Sequence, residues 1–321
     1  MRSADGKQAA VERTTRARHA GDVSSTHVIL AAIKPDDASN AALAMAHWLA
    51  EQERRELHVV SVITSGPPIS SVAAGSPFIP RFHDEVERRR VERDLRVANE
   101  RLRHPASRYR LDVLEGSPAP AVAEAAREHD ARMVVVGRGT HGLLRHLLYG
   151  EQVMEIIRRS RSPVLVVPPD ATAPIERAMV AFDFSVASIR AATTAFEMLG
   201  PGGRLALVHV VPPRGVTDKR SQWRLRSMER RTRDTLEEFA RALPTGRGVA
   251  VETEKLHGDP VDVLTAYAAS HSMQLLACGW HEHALLDRVF GESDTSEILH
   301  RARCAVLVAP ELLGRDRDEA S

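Results

Sequence analysis

Long apolar runs, net charge and cysteine are all scarce in this chain. No stretch approaches the roughly 20 consecutive apolar residues that a membrane-spanning helix needs, and residues 1–25 lack the apolar core of a secretion signal. Basic and acidic residues nearly balance, which leaves a formal net charge of +1, so no strong field attracts nucleic acid or a membrane surface. These absences predict a cytoplasmic protein whose partners are neither nucleic acid nor membrane.

The chain has only two cysteines, Cys278 and Cys304. We expect them at opposite ends of neighbouring parallel strands, on the order of 10 Å apart at about 3.3 Å per residue, which is too far for a disulfide. Two free, buried thiols suit a reducing cytoplasm. Neither has an evident base beside it, and the chain contains no Gly-x-Ser-x-Gly elbow and no P-loop. We therefore expect no catalytic residues.

What the chain does contain is a duplication. Several segments recur in the same order, separated by about one domain length rather than by a solenoid period. The pairs are VILAAIK (28–34) with AMVAFD (178–183), GSP (116–118) with GDP (258–260), VVVG (134–137) with LACG (276–279), YGE (149–151) with FGE (290–292), and PVLVVP (163–168) with AVLVAP (305–310). We predict domain one at 25–169 and domain two at 175–313, with a disordered leader at 1–24 and a frayed tail at 314–321.

Apolar strands alternate with helix-length segments in both domains. Strands separated by helices form right-handed crossovers, so each domain is predicted to be a parallel sheet with helices on both faces. The predicted strands are 27–33, 57–63, 109–114, 133–136 and 164–167 in domain one, and 177–182, 204–211, 249–255, 274–278 and 305–309 in domain two. The last strand of each domain is an apolar edge, which ordinarily invites pairing. We expect these two fifth strands to pair with each other within the chain, and we leave open a homodimer.

Several of these motifs together resemble the universal stress protein family, in its tandem form. They are VILAAIKPDDASNAAL (28–43), VVVGRGTHGLLRHLLYG (134–150), SPVLVVP (162–168), MVAFDFSVASIRAA (179–192), LALVHVVPP (205–213) and GDP (258–260). The resemblance covers nearly everything from about residue 24 to residue 312. It implies an α/β, Rossmann-like fold of two tandem open five-stranded parallel sheets in the order 3-2-1-4-5, and a role in the stress response. Ligands on such sheets bind at the carboxyl ends of strands one and four.

Many members of that family bind ATP at this edge. Their pattern is an Asp after strand one, which would hold the ribose, and a glycine-rich loop after strand four that ends in Gly followed by Ser or Thr. Glycines let backbone amides approach phosphate, and a helix N-terminus favours anions. The candidate nucleotide-binding residues carried over by the resemblance are Asp183, Gly279, Gly291 and Ser293 in domain two, and Gly137, Gly139, Gly142 and Gly150 in domain one.

The match to the ATP-binding pattern is partial in both domains. Lys34 stands where domain one should have the aspartate, and Glu282 occupies the region of the second glycine in domain two. Glu151 and Glu292 follow the last glycines, where the family has a hydroxyl residue. Two like charges about 4 Å apart repel by about 4 kcal/mol at an effective dielectric near 20. We infer that each domain fills its phosphate site with its own carboxylate, and that ATP is possible only in domain two.

Three functions remain open at this point. The first is a stress-response protein that acts by binding and association, with nucleotide sites degenerate in both copies. The second is an ATP-binding regulator that uses domain two alone, and the third is a weak phosphohydrolase of the same site. Asp183 has no paired carboxylate for acid–base work, so we expect the protein not to be an enzyme.

Histidines offer little support for other chemistry. His281 and His283 are two residues apart on an expected loop with no third ligand nearby, so we interpret them as solvent-exposed and predict no metal site. His209 falls in a buried strand and is interpreted as a hydrogen-bonded core residue.

Overall fold

The computed structural model describes residues 27–36, 39–64, 79–102, 108–139, 143–211, 234–244, 248–281 and 292–311. For residues 79–84, 143–150 and 292 only the backbone is described. The predicted leader (1–24) and tail (314–321) therefore lie outside the described residues, as do Gly142, Gly291, Glu282 and His283.

Domain one alternates strands and helices as predicted. Its elements are β1 (Ile29–Ala32), α1 (Asn40–Gln52), β2 (Leu57–Ile63), α2 (Ile79–Leu102), β3 (Tyr109–Glu115), α3 (Pro118–Glu128), β4 (Met133–Gly137), α4 (Leu143–Arg159) and β5 (Val164–Val167). Strands β1, β4 and β5 are continuous apolar runs because helices cover both faces of this sheet. Pro118 begins α3, where a missing backbone N–H costs nothing.

Domain two repeats the same order of elements. They are β6 (Arg177–Ala181), α5 (Val186–Met198), β7 (Arg204–Val211), β8 (Ala250–His257), α7 (Pro260–Ser270), β9 (Leu275–Trp280), α8 (Glu292–Arg301) and β10 (Ala305–Pro310). Between β7 and β8, residues 234–242 are helical and are called α6.

The sheet order confirms the predicted topology, and the two fifth strands pair with each other as expected. The order is β3-β2-β1-β4-β5-β10-β9-β6-β7-β8, which is 3-2-1-4-5 in each domain. The two sheets are not separate, because β5 and β10 pair antiparallel, with Leu165 opposite Leu307. Both strands are apolar and would otherwise expose unpaired backbone groups at a sheet edge. The result is one ten-stranded sheet that is parallel within each domain.

Helices cover both faces of this joined sheet. One hydrophobic cluster contains side chains from α1, α2, α5 and α6, and the other contains side chains from α3, α4, α7 and α8. Leu165 and Leu307 belong to the first cluster, and Val164 and Val308 belong to the second. Each cluster therefore runs across the joint, so the two domains share their cores.

Two arginines also link the domains through backbone carbonyl groups. Arg138, just after β4, donates to Leu299 O (3.2 Å) and to Ala302 O (2.5 Å) at the end of α8. Arg190 on α5 donates to Pro310 O (2.9 Å) and to Arg161 O (3.0 Å). A cation at a helix C-terminus satisfies carbonyl groups that have no partner within the helix.

Both cysteines are free and buried, as the sequence predicts. Burial raises the pKa of the Cys278 thiol to about 12 and that of Cys304 to about 11, so neither carries much thiolate near neutral pH. In the part of the chain that the structure describes, no helix has the length and apolar character needed to cross a membrane.

Candidate functional site

The carboxyl edge of domain two is the point at which the strand order reverses. Strand β6 has β7 on one side and β9 on the other, so the residues after β6 and β9 face a common crevice. Asp183 follows β6, and His281 follows β9 directly. The sequence therefore places Asp183 correctly at this edge.

The carboxylate of Asp183 is buried and bonded by its own loop. Its side chain is 3% exposed, and Oδ1 accepts hydrogen bonds from Ser185 N (3.0 Å) and from Ser185 Oγ (2.5 Å). Phe184 between them has a left-handed backbone with φ of 64°, an uncommon conformation for a bulky residue. That turn brings the Ser185 amide back onto the carboxylate. The hydrogen-bond partners of Asp183 in this loop thus come from Ser185.

Ser185 is the N-cap of α5. Its Oγ accepts from Ser188 N at 3.0 Å, which satisfies one of the free amides in the first helical turn. The same Oγ lies 3.0 Å from Nε2 of His281. One hydroxyl group therefore connects the helix start, the aspartate and the histidine.

His281 is buried, which corrects its interpretation as a solvent-exposed loop residue. The residue is 4% exposed, its Nε2 lies near Ser185 Oγ, and its Nδ1 lies 2.9 Å from Glu311 Oε2. Nε2 is also 3.8 Å from Asp183 Oδ2, close enough for charge attraction but too long for a direct hydrogen bond. No local sequence signal marks this position as buried, because His281 and Glu311 meet through the pairing of β9 with β10.

The distances from Ser185 to His281 and from His281 to Glu311 are those of a serine–histidine–acid triad, but the hydrogens point the wrong way for catalysis. Ser185 Oγ must donate its hydrogen to Asp183 Oδ1, which has no hydrogen of its own, and its lone pair accepts from Ser188 N. The contact with His281 then requires a hydrogen on Nε2, so the imidazole is a donor there. A nucleophile needs the reverse arrangement, with Nε2 free to accept the hydroxyl proton.

The environment of Asp183 holds its pKa well below the ordinary value. Burial alone would raise this pKa, but the nearby imidazole of His281 and the hydrogen bonds from Ser185 outweigh burial and lower it. Because the folded-state pKa lies below the unfolded one, this group stabilises the fold above the unfolded value of about 3.8 and ceases to do so as the pH falls through the lowered folded value.

We therefore expect Asp183→Asn to cost stability at neutral pH and progressively less in acid. Urea unfolding of the wild type and of the variant, measured from neutral pH down to about pH 3, checks this. The gap between their unfolding free energies should narrow as the pH falls below the ordinary carboxyl pKa. A gap that stays constant over this range would contradict it.

Gly279 serves packing at this edge. A Cβ atom there would lie 2.6 Å from Ser188 N and 2.7 Å from the carbonyl carbon of Ala187, so the first turn of α5 rests directly on β9. The equivalent Gly137 in domain one is less constrained, because its Cβ would lie 3.4 Å from Ala42 Cβ and from Ser39 Cα. The first turn of α5 therefore leaves no room for a side chain at position 279.

The corresponding edge of domain one has a different character. Lys34 is exposed and borders a cavity of about 60 Å³ whose walls include Val60, Val122 and Val136. On its other side Lys34 borders a second cavity of about 130 Å³, whose walls include Asp36 and Asp94. Gly139 lies in irregular backbone after β4, and Gly150 lies within α4.

The helices after the glycine-rich loops differ in register by one residue from the sequence alignment. Gly137 pairs with Val167 and Gly279 with Ala309, and α4 and α8 end at Arg159 and Arg301. Counted from these helix ends, Glu151 is equivalent to Ser293 rather than to Glu292, and both are exposed. Gly279 and Arg301 are as far apart in sequence as Gly137 and Arg159, so this segment has the same length in both domains and only the FGE motif (290–292) is displaced by one residue relative to YGE (149–151). Ser293, a candidate residue of the resemblance, therefore stands at the position that Glu151 has in domain one.

Two further expectations concern histidine and metal. His209 is largely buried and donates from Nδ1 to Phe182 O at 2.8 Å, which agrees with its interpretation as a hydrogen-bonded core residue. Burial lowers its pKa. Among the described residues, no group of three or more His, Cys, Asp or Glu side chains could hold a metal ion.

Comparison with known proteins agrees with the duplication. Residues 25–168 and 174–310 each match the sequence model of the universal stress protein family. Stress response protein NhaX of Bacillus subtilis is 28% identical over 160 residues, which are 46% of this chain and 92% of that protein. Universal stress protein YxiE of the same organism is 28% identical over 144 residues, or 43% of this chain and 97% of that protein.

Solved structures share the whole architecture. A universal stress protein from Archaeoglobus fulgidus has a TM-score of 0.55 at 17% identity and covers 91% of this chain and 98% of its own. A putative universal stress protein from Pseudomonas aeruginosa has a TM-score of 0.61 at 14% identity and covers 89% of this chain and 93% of its own. At these identities the likeness concerns the fold alone.

Proposed function

Because the chain belongs to the universal stress protein family, with two copies of the family domain, we propose that it works by binding and association, with nucleotide sites that are degenerate in both domains. Membership of the family supports a role in the stress response. The finer proposal concerns what the two carboxyl edges do. In domain one, Lys34 supplies no acceptor for ribose, and the cavities that it borders measure about 60 Å³ and about 130 Å³.

The observation that carries this proposal is the state of Asp183 in domain two. Its carboxylate is 3% exposed and already accepts two hydrogen bonds from Ser185. A ligand hydroxyl would have to displace these bonds, and the buried groups left behind would lose their partners. The space beside Gly279, where a Cβ atom would lie, is likewise filled by the first turn of α5. The edge is satisfied by the chain itself.

A second candidate function is an ATP-binding regulator that uses domain two alone. It is favoured by Asp183, which is retained at the switch point, and by Ser293, which stands in α8 at the position that Glu151 has in domain one. This candidate requires the loop after β6 to rearrange. A weak phosphohydrolase would require in addition a base near the phosphates, and the donor role of His281 argues against one. We propose that the protein is not an enzyme.

Association is proposed to use the fifth strands. The β5–β10 pair supplies each domain with the edge partner that a single domain would seek in a second copy. A homodimer of the whole chain would need another surface. We propose a cytoplasmic location, which agrees with two free buried cysteines.

We expect any nucleotide binding to be asymmetric, with no more than one ATP per chain. Calorimetric titration of the full chain with Mg-ATP checks this, with Asp183→Asn as the matched variant. Under the proposed function neither protein binds at micromolar concentrations, and ATP leaves the melting temperature unchanged. A ligand at 100 times its Kd would add about 2.7 kcal/mol. Binding that Asp183→Asn abolishes would favour the second candidate, and two equivalent sites would contradict both.

A further inference from the structure

A continuous chain of polar contacts crosses the carboxyl edge of domain two. It runs from Asp183 through the hydroxyl of Ser185 to His281 and ends at Glu311, the residue after β10. We propose that these four residues form a protonation latch: doubly protonated His281 holds this edge closed, and the loss of one imidazole proton opens it. The inference rests on the proposed function, because it names what keeps Asp183 from a ligand.

The positions of the hydrogens follow from the contacts. Ser185 Oγ gives its hydrogen to Asp183 and accepts from Ser188 N, so Nε2 of His281 must carry a hydrogen to contact it at 3.0 Å. Nδ1 lies 2.9 Å from a carboxylate oxygen of Glu311, whose side chain is 29% exposed, and a carboxylate oxygen accepts hydrogen bonds. That contact also requires a hydrogen on Nδ1. Both ring nitrogens are therefore donors, which is the state of a charged imidazolium.

The charges around His281 favour the closed state. Asp183 lies near Nε2 and Glu311 lies near Nδ1, and the ring itself is 1% exposed, so water screens these attractions less than it would at the surface. Cys278 on β9 stays neutral because burial raises its pKa to about 12. His209 on β7 lies near Asp183, and burial lowers its pKa, so it is neutral at neutral pH. The cation on α5 is Arg190, and its guanidinium group donates hydrogen bonds to backbone carbonyl oxygens.

The latch belongs to domain two alone. In the register that pairs Gly137 with Val167 and Gly279 with Ala309, the equivalents of His281 and Glu311 are Gly139 and Pro169. Neither can carry a proton or accept one through a side chain. The duplication therefore supplies a matched domain in which no side chain at these two positions can titrate.

The latch should open as the pH rises, and opening should loosen the turn that follows β6. As the pH rises through the titration of His281, the hydrogen between Nε2 and Ser185 or the one between Nδ1 and Glu311 is lost. Asp183 then loses the attraction of the imidazolium, and the left-handed turn at Phe184 (φ 64°) is held by fewer contacts. The amides of Ser185 and Ser188 become free to exchange, and Asp183 becomes available to a ligand.

Nuclear magnetic resonance of the imidazole groups in the full chain tests the latch without any nucleotide. At about pH 8, above the ordinary histidine pKa of about 6.5, His281 should still carry both ring protons, while His209 should be neutral. Glu311→Gln, which keeps the shape of the side chain, should move the titration of His281 to lower pH. It should also make the Ser185 and Ser188 amides exchange faster at the same pH.

The control is the His58–Asp112 pair in domain one. His58 Nε2 lies 2.7 Å from Asp112 Oδ2, and the His58 side chain is 3% exposed, so Asp112→Asn removes a carboxylate from a buried histidine elsewhere in the chain and should leave the titration of His281 unchanged. A neutral His281 at pH 7, or an unchanged titration in Glu311→Gln, would overturn the latch. The failure of the proposed function is detected separately, since only ATP calorimetry of the wild type can reveal it.

Discussion

Replacing Leu307 by lysine should open the joint between the two domains and destabilise the whole chain. Leu307 is fully buried and lies opposite Leu165 at the β5–β10 pair. Truncating a buried leucine already costs about 2–5 kcal/mol, and an unpaired ammonium group in the same place adds the cost of burying a charge. We therefore expect Leu307→Lys to lower the free energy of unfolding by about 5 kcal/mol or more. Urea unfolding and sedimentation measure the effect.

The matched control for this substitution is Val186→Lys on α5. Val186 is 59% exposed, so a lysine there should change the unfolding free energy by about 0.5 kcal/mol or less. If Leu307→Lys retains the wild-type midpoint and the wild-type sedimentation coefficient, the shared core is not what joins the domains.

The sequence was sufficient for the topology because its signals are local and repeated. Continuous apolar strands such as VLVV at 164–167, together with helix-length spacers and a proline at the start of α3, fix parallel strands with helices on both faces. The apolar fifth strands also indicated where the sheet would be extended. None of this requires knowledge of which side chains meet across the fold.

The site was less predictable because its contacts join distant segments. The sequence places Asp183 after strand one. His281, which lies near Asp183, and Glu311, which contacts His281, come from the ends of two other strands. No spacing rule connects these three positions in one sequence. A local signal did exist at Ser185, which stands between a strand and a helix with Ser188 three residues later, an arrangement typical of an N-cap.

The position of the FGE motif (290–292) relative to α8 was also not evident from the sequence. Aligning the glycines paired Glu151 with Glu292, whereas the helix ends pair Glu151 with Ser293. The segment from Gly279 to Arg301 is as long as the one from Gly137 to Arg159, and only the FGE motif (290–292) is displaced by one residue relative to YGE (149–151), so aligning the two motifs hides the register of the helices. The inference that both domains fill a phosphate site with glutamate therefore concerns two positions that are not structurally equivalent.

Substituting alanine at the two equivalent glycines should give very unequal results. In Gly279→Ala the new methyl group would meet Ser188 N at 2.6 Å and Ala187 at 2.7 Å, both of them backbone atoms that cannot rotate away. In Gly137→Ala the nearest atoms are at 3.4 Å, an ordinary contact. Overpacking of this kind typically costs about 1–3 kcal/mol and occasionally more, so we expect about 3 kcal/mol for Gly279→Ala and less than about 1 kcal/mol for Gly137→Ala.

The comparison also separates two roles for the glycine after strand four. If Gly279 were kept for the approach of a phosphate, alanine would impair ligand binding and leave the free protein stable. If it is kept so that α5 can rest on β9, alanine must push the first turn of α5 outward and lower the urea midpoint with no ligand present. That turn carries Ser185 and Ser188, so their amides should exchange faster in the same variant. Equal midpoints for Gly279→Ala and Gly137→Ala would contradict the packing role, because the only difference between the two sites is the closeness of the helix.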